Sequence, residues 1–130
     1  MVFTKEEKGV AKMNLSISDL MTMQKNLFHI HSNEWPPMEP DQGKQMMLYM
    51  VEEIGESIAI LKKKGDQAVV DDPSVREAFL EEMSDVLMYY MDTLLRYHVT
   101  SEEISEAYYA KHKRNMGRDY AGEYKEKYHG

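Results

Sequence analysis

The chain has no cysteine among its 130 residues, which excludes disulfides, thiolate metal sites and cysteine nucleophiles and fits a reducing compartment. It has no apolar run approaching the roughly 20 residues of a membrane span. Met1 to Lys12 carries no apolar signal-peptide core, so a soluble cytoplasmic protein is expected. Positive charge is in deficit. The formal net charge of −7 argues against binding a nucleic-acid polymer, because the overall field repels a polyanion. A small anionic ligand stays open if metal ions and a local basic cluster, Lys111, Lys113, Arg114 and Arg118, receive it. The twelve methionines read as flexible core filler rather than as an adaptable binding surface.

This length suits a single domain with a real core, here residues 1–130 with a core of about 16–117. Helical periodicity runs almost throughout, with little strand-like alternation. A first helix is predicted from Ser16 or Ser18 to about His31, with Ile17, Leu20, Met21, Leu27 and Phe28 at helical spacing. Pro36, Pro37 and Pro40 then forbid helix and make an extended connector that carries Trp35. A second helix is predicted from near Asp41 to Lys64-Gly65, a cation run followed by a glycine stop. Asp72-Pro73 opens a third as N-cap and first-turn proline, running to about His98. Thr100-x-x-Glu103 is a capping box for a fourth that ends near Gly117. Residues 118–130 read as a polar tail or loop. Short connections between long amphipathic helices favour antiparallel neighbours, so an all-α, four-helix bundle-like protomer is expected.

The second and third helices echo one another. Glu52-Glu53-x-x-Glu56 and Glu81-Glu82-x-x-Asp85 each place two carboxylates one turn apart, on one side of a helix. At 100° per residue, Met47, Met50, Val51, Ile54, Ile58 and Leu61 define the apolar face of the second helix. Glu53 and Glu56 lie to one side of that face, with Tyr49 and Ser57 nearby. On the third, Phe79, Met83, Leu87, Tyr90 and Leu94 define the face, and Glu82 and Asp85 fall at the same offset, with Tyr89 beside them. Glu52 and Glu81 point toward solvent. If the flanks face each other, four carboxylates converge, and such crowding is costly without cations. A single ExxE is commonplace on solvated helices; the matched pair is what points to a divalent cation, Mg²⁺ or Mn²⁺.

Other metals fit less well. Di-iron bundles want two inward Glu-x-x-His pairs, and the only such pair is Glu126-x-x-His129 in the expected tail. There is no EF-hand loop, and His29, His31, His98, His112 and His129 show no zinc spacing.

With these motifs, the sequence resembles the all-α nucleoside triphosphate pyrophosphohydrolases, the MazG and dimeric dUTPase superfamily. Their EExxE motif is matched by Glu52-Glu53-Ile54-Gly55-Glu56, and their ExxD motif by Glu82-Met83-Ser84-Asp85. Trp35-Pro36 is similar to the tryptophan-containing connector of MazG-type proteins, and Lys111-x-x-x-Asn115-x-x-Arg118 to the K…N..R element after the fourth helix. The likeness covers roughly residues 20 to 120. The chain departs from the fuller cysteine-proline-tryptophan-aspartate connector, and Asp119-Tyr120-Ala121-Gly122 only loosely follows the dUTPase ending.

The resemblance implies Glu53, Glu56, Glu82 and Asp85 as Mg²⁺ ligands, with Glu53 or Glu56 as the carboxylate that takes a proton from water. It implies Lys111, Asn115 and Arg118 as phosphate or sugar contacts and Trp35 as a base-stacking residue; Tyr89, on the acidic side, is a further substrate candidate. The implied reaction is cleavage of a nucleoside triphosphate between its α- and β-phosphates. A homodimer or homotetramer is expected. The rival from another class is a non-catalytic helical interaction module with solvated acidic flanks.

Overall fold

The computed structural model describes residues 13–129, so the reading of Met1 to Lys12 lies outside the described residues. Among these the chain is all-α, with helices α1 (Ile17–Ile30), α2 (Gly43–Lys64), α3 (Asp66–Asp71), α4 (Pro73–Arg96), α5 (Ser101–Met116) and α6 (Tyr120–His129). A 3₁₀ turn, Pro40–Gln42, leads into α2. The chain divides into two compact units, Met1–Val99 and Thr100–Gly130. No helix of the described residues is long and apolar enough to cross a membrane.

The caps follow local chemistry. Ser16 and Asp19 form a capping box at α1, the Asp19 N–H donating to Ser16 Oγ at 3.1 Å and the Ser16 N–H to Asp19 Oδ2 at 2.9 Å. Asp72 accepts from the Ser74 and Val75 N–H groups at α4, and Pro73 fills the first turn, where an N–H would have no partner. Thr100 and Glu103 repeat the capping box at α5. The α4 C-terminus closes with the Val99 N–H on Leu94 O and the His98 N–H on Leu95 O, with His98 in the left-handed region at φ 58°.

Two segments depart from expectation. Between Gly65 and Asp72 the chain forms the extra helix α3, held by the Asp72 N–H on Ala68 O at 2.8 Å and by burial of Val69. Residues 120–129, expected as tail or loop, are also helical. Asp119 caps that helix by accepting from the Gly122 N–H at 2.8 Å, and Arg118 pairs with Glu123 at 2.7 Å. A polar segment lacks the apolar periodicity that marks a helix in sequence, yet capping and good helix formers sustain one.

In the first unit α4 is the hub, packed against α1, α2 and α3. The start of α2 meets the end of α4, where Gly43 lies buried against the Tyr97 ring, so the two long helices run antiparallel. The buried line on α2 is Gly43, Met46 and Ser57, on the same side as half-buried Glu53. The expected apolar face points the other way: Met47, Val51, Ile54 and Ile58 are exposed, Val51 by 62%. On α4, Leu80, Met83, Leu87 and Tyr90 are likewise exposed. The helices meet through their mixed polar flanks; of the stripes that read as core, Met50, Leu61, Phe79 and Leu94 are half-buried and the rest is left uncovered.

Gly65 takes φ 89° and ψ 154°, a conformation closed to side chains with a Cβ. Gly65→Ala is expected to destabilise the protein by about 1–3 kcal/mol, read as a lower urea midpoint at unchanged m-value.

Candidate metal centre

One turn of α2 faces one turn of α4 across the antiparallel pair. Glu53 comes from the first, Glu82 and Asp85 from the second, and one carboxylate oxygen of each lies within 4.8 Å of the others. All three are half-buried, whereas Glu52 and Glu81 are exposed, as the helical offset predicts. Glu56 is one turn beyond Glu53 and stands outside this trio, exposed. It lines a neighbouring cavity beside Glu82.

The crowding has an electrostatic signature. The Glu53 carboxyl is pushed up from 4.5 to about 7, first by a hydrogen bond with Glu82, then by burial and by the charges of Asp85, Glu82 and Glu56. Like charges this close cannot all ionise cheaply, so a proton is retained unless a cation replaces it. The Tyr89 hydroxyl is pushed up from 10.0 by burial and by the charges of Glu53 and Asp85, which keeps it protonated as a donor. Its ring meets Tyr49 at 5.7 Å between centroids.

Two cavities flank the carboxylates. The first, about 570 Å³, is walled by Trp35, Pro36, Met46, Tyr49 and Tyr89 and reaches Glu53 and Asp85. Gln24, Asp92 and Arg96 lie along its depth. The second, about 550 Å³, contains Glu56 and Glu82 and carries Lys63 and Lys64. Trp35 and Tyr89 therefore share one cavity with two of the three carboxylates. Trp35 also stacks on His31, 4.7 Å between centroids and 24° between planes.

Lys111, Asn115 and Arg118 belong to the second unit. Lys111 is exposed on α5, and Arg118 is engaged with Glu123 and lies over Tyr120 at 4.8 Å. The Asn115 Oδ1 is buried with no hydrogen-bond partner.

Sequence reasoning missed Gln24, Asp92 and Arg96, because polar residues in an amphipathic helix read as solvent-facing. Their one signal was register: Asp85, Asp92 and Arg96 fall seven and eleven residues apart, on one face of α4. Lys63 and Lys64 were read only as a helix-terminal cation run.

The chain was compared with family models, curated proteins and solved structures. None matches. Any functional reading therefore stands on the residues, their geometry and the sequence resemblance.

Because the folded protein holds the Glu53 proton more tightly than the unfolded chain does, stability contributed by that proton is present below 4.5 and is lost as pH rises to about 7. Without divalent cations, wild type should lose thermal stability over that window relative to Glu53→Gln, whose side chain has no proton to release. Paired melts of the two proteins across the pH range check this, and parallel curves would remove the carboxylate crowding.

Proposed function

We propose that the protein is a Mg²⁺-dependent nucleoside triphosphate pyrophosphohydrolase, cleaving its substrate to a nucleoside monophosphate and pyrophosphate. The observation that carries this reading is the carboxylate trio set between an aromatic-walled cavity and a lysine-bearing one. The donors fit the ion: all are hard oxygen ligands, and the raised proton affinity of Glu53 is what a site short of positive charge displays. Glu53, Glu82 and Asp85 would hold Mg²⁺ or Mn²⁺; for Glu56, outside the trio, a ligand role rests on the resemblance. When bound, the cation supplies charge neutralisation for the phosphates and lowers the pKa of water.

The chain's own groups supply the rest. Trp35 offers a flat face for the nucleobase, and the Tyr89 hydroxyl, lining the same cavity, is a donor that substrate could use. Water attacks the α-phosphorus, its proton passes to Glu53 or Glu56, and the bond to the β-phosphate oxygen breaks. Lys63 and Lys64, which line the second cavity with Glu56 and Glu82, are candidates to receive charge on departing pyrophosphate. For Lys111, Asn115 and Arg118 the contact role rests on the resemblance alone. Nucleotide house-cleaning or pool control in the cytoplasm belongs to the same proposal.

The same reading includes self-association. Full burial of one Val, Leu, Ile or Met stabilises by about 1.5–3 kcal/mol, and Met47, Val51, Ile54, Ile58, Leu80, Met83 and Leu87 are exposed in one copy. Among the described residues few apolar side chains are buried, namely Met21, Met46, Val69, Val75 and Met91. A second copy laid on the stripes would complete the helical bundle. The exposed stripes equally suit the rival, a non-catalytic interaction module, and calorimetry with Mn²⁺ separates the two, since the rival has no saturable site.

Pyrophosphate release from a nucleotide panel should require Mg²⁺ and fall to background in Glu82→Gln and Asp85→Asn. Glu56→Gln separates the roles: if Glu56 is the base, turnover drops by about 100-fold or more with Mn²⁺ binding retained. Undiminished turnover in the Glu82 and Asp85 variants would remove the site. In sedimentation at micromolar concentration, wild type is expected as a dimer or tetramer and Val51→Glu or Leu87→Glu as a monomer; a wild-type monomer would count against the assembly.

A further inference from the structure

Arg96 is the most deeply buried side chain of the described residues, 1% exposed. A guanidinium withdrawn from water is stable only when acceptors replace its hydration. Its Nε donates to Asp92 Oδ1 at 2.5 Å. Its Nη1 donates to the carbonyl oxygen of Pro37 at 2.6 Å, with that of Pro36 at 3.5 Å. The charge also lies 5.8 Å from the centre of the Phe28 ring, and Asp92 Oδ2 accepts from Gln24 Nε2 at 3.4 Å. One side chain on α4 thus ties together its own helix, α1 and the proline connector.

Besides this tie the connector is held by the Trp35 stack on His31 and by a few backbone bonds. Pro36 and Pro37 have no N–H to donate, and between Trp35 and Glu39 the backbone bonds are the Trp35 N–H on His31 O, the Glu39 N–H on Pro37 O and the Gln42 N–H on Glu39 O. Trp35 and Pro36 nevertheless line the first cavity together with Glu53, Asp85 and Tyr89. A buried ion pair is a poor source of stability, since well-packed apolar residues often do as well. A rigid fork that satisfies a carboxylate on one side and backbone carbonyls on the other is, however, a good ruler.

We propose that Arg96, braced by Asp92, is a positioning residue that holds the Trp35–Pro37 wall at a set distance from the carboxylates and thereby sets the affinity of the cavity for the planar part of its ligand. The affinity half rests on the reading of this cavity as the nucleotide site. The positional half does not, which lets one experiment separate them.

Trp35 is the only tryptophan of the chain, so intrinsic fluorescence reports on this wall with no nucleotide present. The test compares wild type with Arg96→Lys, which keeps the charge and loses the fork, and with the double substitution Arg96→Met, Asp92→Leu, which leaves no orphaned charge. Both should keep helicity and Mn²⁺ binding. Acrylamide quenching of Trp35 should rise about twofold or more, more in the double variant than in Arg96→Lys. KM for the nucleotide should rise about tenfold while kcat changes less than about threefold, the pattern of lost uniform binding.

Unchanged quenching in a folded variant overturns the proposal, as does a fall in kcat at unchanged KM. If the double variant does not fold, Arg96→Lys decides by the same readouts. If wild type turns over no nucleotide, the functional reading fails alone, and quenching still decides whether Arg96 holds the wall.

Discussion

The structure turns on the way α2 and α4 meet. They pack antiparallel through flanks that carry Glu53, Glu82 and Asp85, rather than through their most apolar stripes, while Asp92 and Arg96 face α1 and the proline connector. Every notable property of the first unit follows. Like charges face one another, so the Glu53 carboxyl is pushed up to about 7. Cavities open beside the carboxylates, one lined by Glu53 and Asp85 and the other by Glu56 and Glu82. The apolar stripes are displaced to the outside, where only another surface can cover them.

Such an arrangement is expensive for a small chain. Burying polar groups between helices forgoes apolar contact and requires each charge to be matched. Arg96 and Asp92 match each other and recruit the proline carbonyls, so that part of the interface is satisfied from within. The carboxylate trio is not, and its imbalance is the physical reason to expect a cation there.

The legible part of the site was its register. Helical periodicity separated Glu53, Glu82 and Asp85 from Glu52 and Glu81, and exposure divides them the same way. Glu56 shares the register but stands outside the trio, because side-chain reach across two helices depends on their crossing and not on spacing along one. Gln24, Asp92 and Arg96 were illegible as site residues. A polar residue at a helical position looks solvated until a partner helix is known to cover it, and Arg96 is covered by a connector about 60 residues away in sequence.

Local chemistry in the sequence determined the all-α class, the caps at Ser16, Asp72 and Thr100, the glycine stop at Gly65 and the proline break before α2. Each depends on residues within a turn or two of one another, and such interactions act before any tertiary contact forms. Only the tertiary structure decided which face of each long helix is inward. Apolar periodicity identifies a face that seeks cover but not what covers it, and in the single chain the acidic flank went inward while the apolar stripe stayed out. The carboxylate trio arises from that choice of packing face, and the Arg96 tie from the way α4 meets the connector.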